Sequence, residues 1–96
     1  MIHTEYYKDG TPCECDEMKI GHYTSGALRW EVPYVNGKRH GITKEYYKSG
    51  DLEWETPYVK GKWHGIEKRY TGHSILRKEF LWLNDVMLDR PAENFH

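Results

Sequence analysis

Tyr23 to Tyr46 reads YTSGALRWEVPYVNGKRHGITKEY, and Tyr47 to Tyr70 follows at once with YKSGDLEWETPYVKGKWHGIEKRY. Set one beneath the other without a gap, the two stretches agree at 16 of 24 positions. The pairs include Gly26/Gly50, Leu28/Leu52, Trp30/Trp54, Glu31/Glu55, Pro33/Pro57, Tyr34/Tyr58, His40/His64, Gly41/Gly65 and Tyr46/Tyr70. A period of this kind outranks local propensity, because each copy is one supersecondary unit that buries its faces against its neighbours. Outward from this pair the period weakens. Downstream, Leu76 falls under Leu52, Glu79 under Glu55, Trp82 under Tyr58 and Asn84-Asp85 under Lys60-Gly61. Upstream, Met18 falls over Ile42 and His22 over Tyr46, while EYYKDG (5–10) echoes EYYKSG (45–50) out of phase. The chain therefore divides as one repeat domain, 1–96: a degenerate N-terminal cap (1–22), two full units (23–46 and 47–70), a truncated third (71–88) and a tail (89–96). Pro91 in that tail stops any helix, and the segment reads as a loose end or a short docking piece.

Within a unit, LRWEVPYV alternates with period two, which predicts a strand with Leu28, Trp30, Val32 and Tyr34 on one side. Asn36-Gly37 and Lys60-Gly61 are two-residue hairpin signals. The return strand, about Gly41 to Tyr47, sets Ile42, Lys44 and Tyr46 against Thr43, Glu45 and Tyr47. Pro33 and Pro57 have no N–H for a ladder, so each predicts a bend, a bulge or an unpaired position. The fold class is all-β, with consecutive antiparallel hairpins extending one elongated, twisted sheet.

The pattern aromatic-x-x-G-x-L, then Y-x-N-G-K-x-H-G, then Y, resembles the MORN repeat, and more closely the variant of bacterial antitoxin-type MORN proteins. The residues that carry it are Gly26, Leu28, Tyr34, Asn36-Gly37 and Gly41, then Gly50, Leu52, Tyr58, Gly61 and Gly65. It spans roughly Gly21 to Asp85. Pro33/Pro57 and Trp30/Trp54 are local departures, and the piece holding Cys13 and Cys15 has no counterpart in the family pattern. The resemblance implies the hairpin ribbon. Function varies among such repeats, which occur in junctional, scaffolding and antitoxin-type proteins.

Composition narrows the partners. Hydrophobic residues make up 38%, yet there are eight Tyr, four Trp and two Phe, which suits a thin sheet of rings with polar tips better than a thick aliphatic core. Net charge is -1, from 14 basic and 15 acidic residues, which weighs against nucleic acid as the main partner. The opening MIHTEYYKDG lacks the pattern of a signal peptide, and no apolar run approaches a membrane span, so the expected location is the cytoplasm, that of the host for a phage gene.

Candidate binding residues are the aromatic row Trp30, Tyr34, Trp54, Tyr58 and Trp82, with Tyr46, Tyr47 and Trp63. The first reading of Trp30 and Trp54 is that they stack as the sheet's own core. Tyr46, Tyr47 and Trp63 are the better candidates for exposure, Trp63 because it replaces Arg39. Arg29, Glu31, Glu53, Glu55, Arg77 and Glu79 read as solvated cross-strand charge ladders. His40 and His64, each just past a hairpin turn, predict a repeated bond to the backbone. The Cys13-x-Cys15 pair with Glu14, Asp16 or His22 is the only cluster with metal-ligand character, and structural roles outweigh it. No catalytic, cofactor or metal site is expected. The leading expectation is a non-catalytic protein-binding module that occludes a protein target: a toxin, a nuclease or a host defence enzyme. The alternative is a membrane-surface or self-assembling scaffold, for which open sheet edges would support a homodimer.

Overall fold

The structure, a computed structural model, describes residues 3–73 and 75–89. The tail past Asp89, with Pro91, lies outside the described residues. The strands are β1 (His3–Tyr6), β2 (Pro12–Cys15), β3 (Glu17–His22), β4 (Leu28–Val35), β5 (Lys38–Arg39) and β6 (Gly41–Tyr46), then β7 (Leu52–Val59), β8 (Lys62–Trp63), β9 (Gly65–Tyr70), β10 (Leu76–Leu83) and β11 (Val86–Asp89). Among the described residues the main sheet runs β11-β10-β9-β7-β6-β4-β3, each neighbour antiparallel. The short β5 and β8 pair with β4 and β7 just past the turns. The protein is all-β, and hairpin follows hairpin along one sheet.

Turn chemistry sets the hairpins. Asn36 and Gly37 have φ of 52° and 78°, and Lys60 and Gly61 have 50° and 87°, the two positive values that match the twist of flanking strands. The fading third unit keeps the same device at Asn84 (49°) and Asp85 (70°). Between units a second turn recurs: Tyr23 N–H donates to the Ala27 carbonyl at 2.9 Å, and Tyr47 N–H to that of Asp51 at 2.9 Å. The out-of-phase EYYKDG echo is this same turn, with Tyr7 N–H donating to the Thr11 carbonyl at 2.9 Å.

The prolines do interrupt the ladder. Pairing of β4 with β6 stops at Glu31↔Lys44 and resumes with β5 at Tyr34↔Arg39. Opposite Pro33 the chain bulges through His40 and Gly41, whose φ is +102°. A Cβ on Gly41 would lie 3.2 Å from the Pro33 ring, and one on Gly65 (φ +121°) 3.0 Å from Pro57.

The sequence did not anticipate a second layer. β1 and β2 form their own hairpin, which lies on the back face of the sheet, the side of Glu31, Pro33 and Val35. Its Tyr7 hydroxyl fills the gap opened by Pro33: it donates to the Ile42 carbonyl (2.6 Å) and accepts from Ile42 N–H (3.2 Å). Tyr7, Cys13 and Cys15 form the small core, with Met18 and Val35 packed against it.

This layer corrects two expectations. Glu31, read as part of a solvated ladder, is only 2% exposed; its carboxylate accepts Lys8 N–H at 2.8 Å and the Tyr46 hydroxyl at 2.5 Å. Tyr46, expected near the surface, is buried by the same contacts at 5% exposure. The back face still carries an alternating row, Glu31–Lys44–Glu55–Lys68–Glu79, strand to strand. Lys44 in that row meets Asp9 of the hairpin turn at 2.8 Å.

The Lys44 ammonium, hydrogen-bonded to Asp9, holds that carboxyl well below the usual range. A carboxyl depressed in the folded state adds stability that is present above its unfolded value and lost as pH falls. Asp9→Asn should therefore destabilise the protein at neutral pH, by less than about 1 kcal/mol because Asp9 is half exposed. Urea midpoints of variant and wild type should converge through the acidic range; a gap constant with pH would refute the pairing.

Candidate functional site

On the opposite, front face the alternation presents Trp30, Val32 and Tyr34 from β4 and Thr43 and Glu45 from β6. With Lys19 from β3 and Arg39 from β5 they enclose an open depression of about 300 Å³. Trp30 forms one wall because it lies across Gly21 of β3, where a Cβ would come within 2.3 Å of its ring. Tyr34 forms another, with the Lys19 ammonium 4.6 Å from its ring centre. Burial, and then the Glu53 charge, raise the Glu45 carboxyl above the usual carboxylate range. The floor holds the one anomaly. Thr43 is 5% exposed, and its hydroxyl is the single buried side-chain polar atom without a hydrogen-bond partner among the described residues. An orphaned buried hydroxyl costs roughly 1–3 kcal/mol and calls for an explanation.

The second unit shows the same place closed. Glu67 stands where Thr43 stands and accepts Trp82 Nε1 (2.9 Å) and Arg69 Nε (3.0 Å). Arg69, in place of Glu45, lies between Trp54 (5.2 Å) and Phe80 (4.9 Å). Trp63, in place of Arg39, donates to the Tyr58 hydroxyl at 2.8 Å and meets Trp82 edge-on at 4.4 Å between ring centres. Arg39 caps the other side of Tyr58, donating to the same hydroxyl at 3.1 Å.

The sequence-predicted residues thus divide. Trp30 and Tyr34 border the depression and stay half exposed. Trp54 is covered by Arg69; Tyr58 is buried; Trp63 is half-buried within the ring stack. Tyr47 sits at a turn, its hydroxyl donating to the Tyr70 carbonyl at 2.8 Å. Tyr46 belongs to the back face. Sequence reading missed Thr43, Arg39, Glu45 and Lys19. The available signal was the repeat's own departures: 39/63, 43/67 and 45/69 all differ between units.

His40 and His64 do bond to backbone: their Nδ1 atoms accept Lys60 N–H (3.2 Å) and Asn84 N–H (3.3 Å). Asp16, one period earlier, accepts Asn36 N–H at 2.9 Å in the same manner. Cys13 and Cys15 are buried thiols; Cys15 is pushed up to about 12, first by burial and then by its neighbour Cys13. Such a thiol stays protonated and is a poor nucleophile. Among the described residues no three His, Cys, Asp or Glu side chains converge as metal ligands, and no helix is long and apolar enough to cross a membrane. No family model, no curated protein and no solved structure matches the chain.

Proposed function

We propose that this protein is a non-catalytic binding module that acts by covering the surface of another protein. The observation that supports this most is the unsatisfied Thr43 hydroxyl at the floor of an aromatic-walled depression. A partner side chain with an apolar body and a polar tip would fill the space between Trp30 and Tyr34 and bond to that hydroxyl. Lys19, Arg39 and Glu45 at the rim supply mixed charge, which suits a selective protein contact better than a polyanion. The resemblance to antitoxin-type MORN repeats makes the partner a toxin or nuclease held inactive by occlusion, or a host defence enzyme if the gene is phage-borne. Such a module works in the cytoplasm and needs neither metal nor cofactor.

The test is capture of an interactor from lysate of the native host by wild type, Trp30→Ala and Thr43→Val. Thr43→Val removes only the orphaned hydroxyl, so the free protein keeps or gains stability. Capture should nonetheless fall by about tenfold, as it should for Trp30→Ala, where an aromatic anchor is lost. Undiminished capture by both variants would overturn the reading.

A further inference from the structure

The two faces of the sheet differ in what the repeat keeps. On the front face positions 39/63, 43/67 and 45/69 change between units. On the back face Glu31, Pro33, Val35, Gly41, Ile42 and Lys44 recur unchanged as Glu55, Pro57, Val59, Gly65, Ile66 and Lys68. In the first unit this set is the seat of the β1–β2 hairpin. Tyr7 plugs the gap at Ile42, Lys8 N–H caps Glu31, Asp9 pairs with Lys44, and the Lys44 ammonium lies 4.2 Å from the Tyr7 ring centre.

In the second unit the seat is built and open. Glu55 accepts the Tyr70 hydroxyl as Glu31 accepts that of Tyr46, so the carboxylate is already aimed. Pairing of β7 with β9 stops at Glu55↔Lys68, leaving the same ladder gap beside Pro57. Among the described residues no hydroxyl reaches Ile66 and no carboxylate lies within 4.0 Å of the Lys68 ammonium. Val59 is 39% exposed, whereas Val35 at the same place in the first unit is packed against Tyr7, Cys13 and Cys15 of the hairpin. Successive units are offset by two strand spacings, about 10 Å, which is the width of one β-hairpin. A second hairpin therefore fits beside the resident one.

We propose that the back face of the second unit is a docking site for a β-hairpin of another protein, one whose turn presents a tyrosine hydroxyl and, two residues later, an aspartate. The tyrosine occupies the gap at Ile66, the aspartate pairs with Lys68, and the backbone N–H between them caps Glu55. The resident hairpin specifies these partners, since seat and occupant are both seen one unit earlier. This deepens the protein-binding reading above by naming a second contact and its chemistry. It uses the face opposite the Thr43 depression.

A backbone-cyclised peptide bearing residues 5–14 with Cys13→Ala, titrated into the ¹⁵N-labelled full chain, tests the site without the natural partner. Amide shifts should be largest at Ile66 and Lys68 and saturate at one peptide per chain. Either Lys68→Ala in the protein or Tyr7→Phe in the peptide should weaken binding by about tenfold. For weak affinity, a second copy of residues 3–16 is tethered ahead of Met1 by a flexible linker, which raises its local concentration to roughly millimolar. Slowed exchange of the Ile66 amide is expected with this copy and not with one carrying Tyr7→Phe and Asp9→Asn. Equal exchange in the two tethered chains, or peptide shifts confined to Ile42 and Lys44, overturns the site. Concentration-dependent dimerisation abolished by Lys68→Ala would put a second copy of this chain there instead and overturn the assignment to another protein. Failure here leaves the Thr43 and Trp30 results intact, because those report the front face.

Discussion

Replacing Glu31 by alanine should lower the unfolding free energy by about 3 kcal/mol, whereas the same change at Glu55 should cost only about 1 kcal/mol. The two glutamates occupy one repeat position and each accepts a tyrosine hydroxyl from fifteen residues on, Tyr46 and Tyr70. They differ in what lies above them. Glu31 is 2% exposed and also holds Lys8 N–H, so its loss strands the buried Tyr46 hydroxyl and a part-buried N–H of the hairpin. Glu55 keeps a 19% exposed side chain, and water can replace it. For a domain of this size 3 kcal/mol corresponds to a fall of about 15 °C in the thermal midpoint. Thermal and urea unfolding of both variants decide the matter. Equal losses would mean that the hairpin contributes nothing at Glu31.

Gly65→Ala and Gly41→Ala should each destabilise by about 3 kcal/mol, from two sources. A left-handed φ strains any residue with a Cβ by roughly 1–2 kcal/mol, and forcing a methyl against a packed neighbour adds about 1–3 kcal/mol. At Gly65 the new Cβ lies 3.0 Å from Pro57, and at Gly41 3.2 Å from Pro33. The double change Gly65→Ala with Pro57→Gly isolates the second source, because it removes both Pro57 carbons that the new methyl meets, Cγ at 3.0 Å and Cβ at 3.1 Å, and leaves the backbone strain. The pair should be about 1 kcal/mol more stable than the sum of the single losses implies. Strict additivity in urea unfolding would show that ring and bulge are not in contact.

These variants also mark what could be read from the chain alone. The bulge was legible at Pro33 and Pro57, since a missing N–H has to fall somewhere in the ladder. The hairpin turns were legible at Asn36-Gly37 and Lys60-Gly61, and even at Asn84-Asp85, where only the period pointed to one. The backbone duty of His40 and His64 followed from their repetition. Burial was less legible. Tyr46 and Glu31 read as surface residues because alternation says which side a residue faces, not whether that side is covered. The depression was half legible: Trp30 and Tyr34 stood out as rings, while Thr43 looked like an ordinary strand residue until its hydroxyl was seen to lack a partner.

By itself the sequence determined the all-β class, the 24-residue unit, the direction and turns of the hairpins within the repeat and the places where the ladder breaks. Those features depend on neighbours within one unit, through alternation, turn dihedrals and missing donors, so they are written locally. Only the tertiary structure decided where residues 3–15 go, which glutamate is sealed and which copy of the back face stays open. Contacts such as Tyr7 to Ile42 join residues 35 apart from a segment out of phase with the repeat, and no spacing in the chain encodes them. They form because one hydroxyl, one backbone N–H and one carboxylate fit a gap, an acid and a lysine that only the folded sheet brings together.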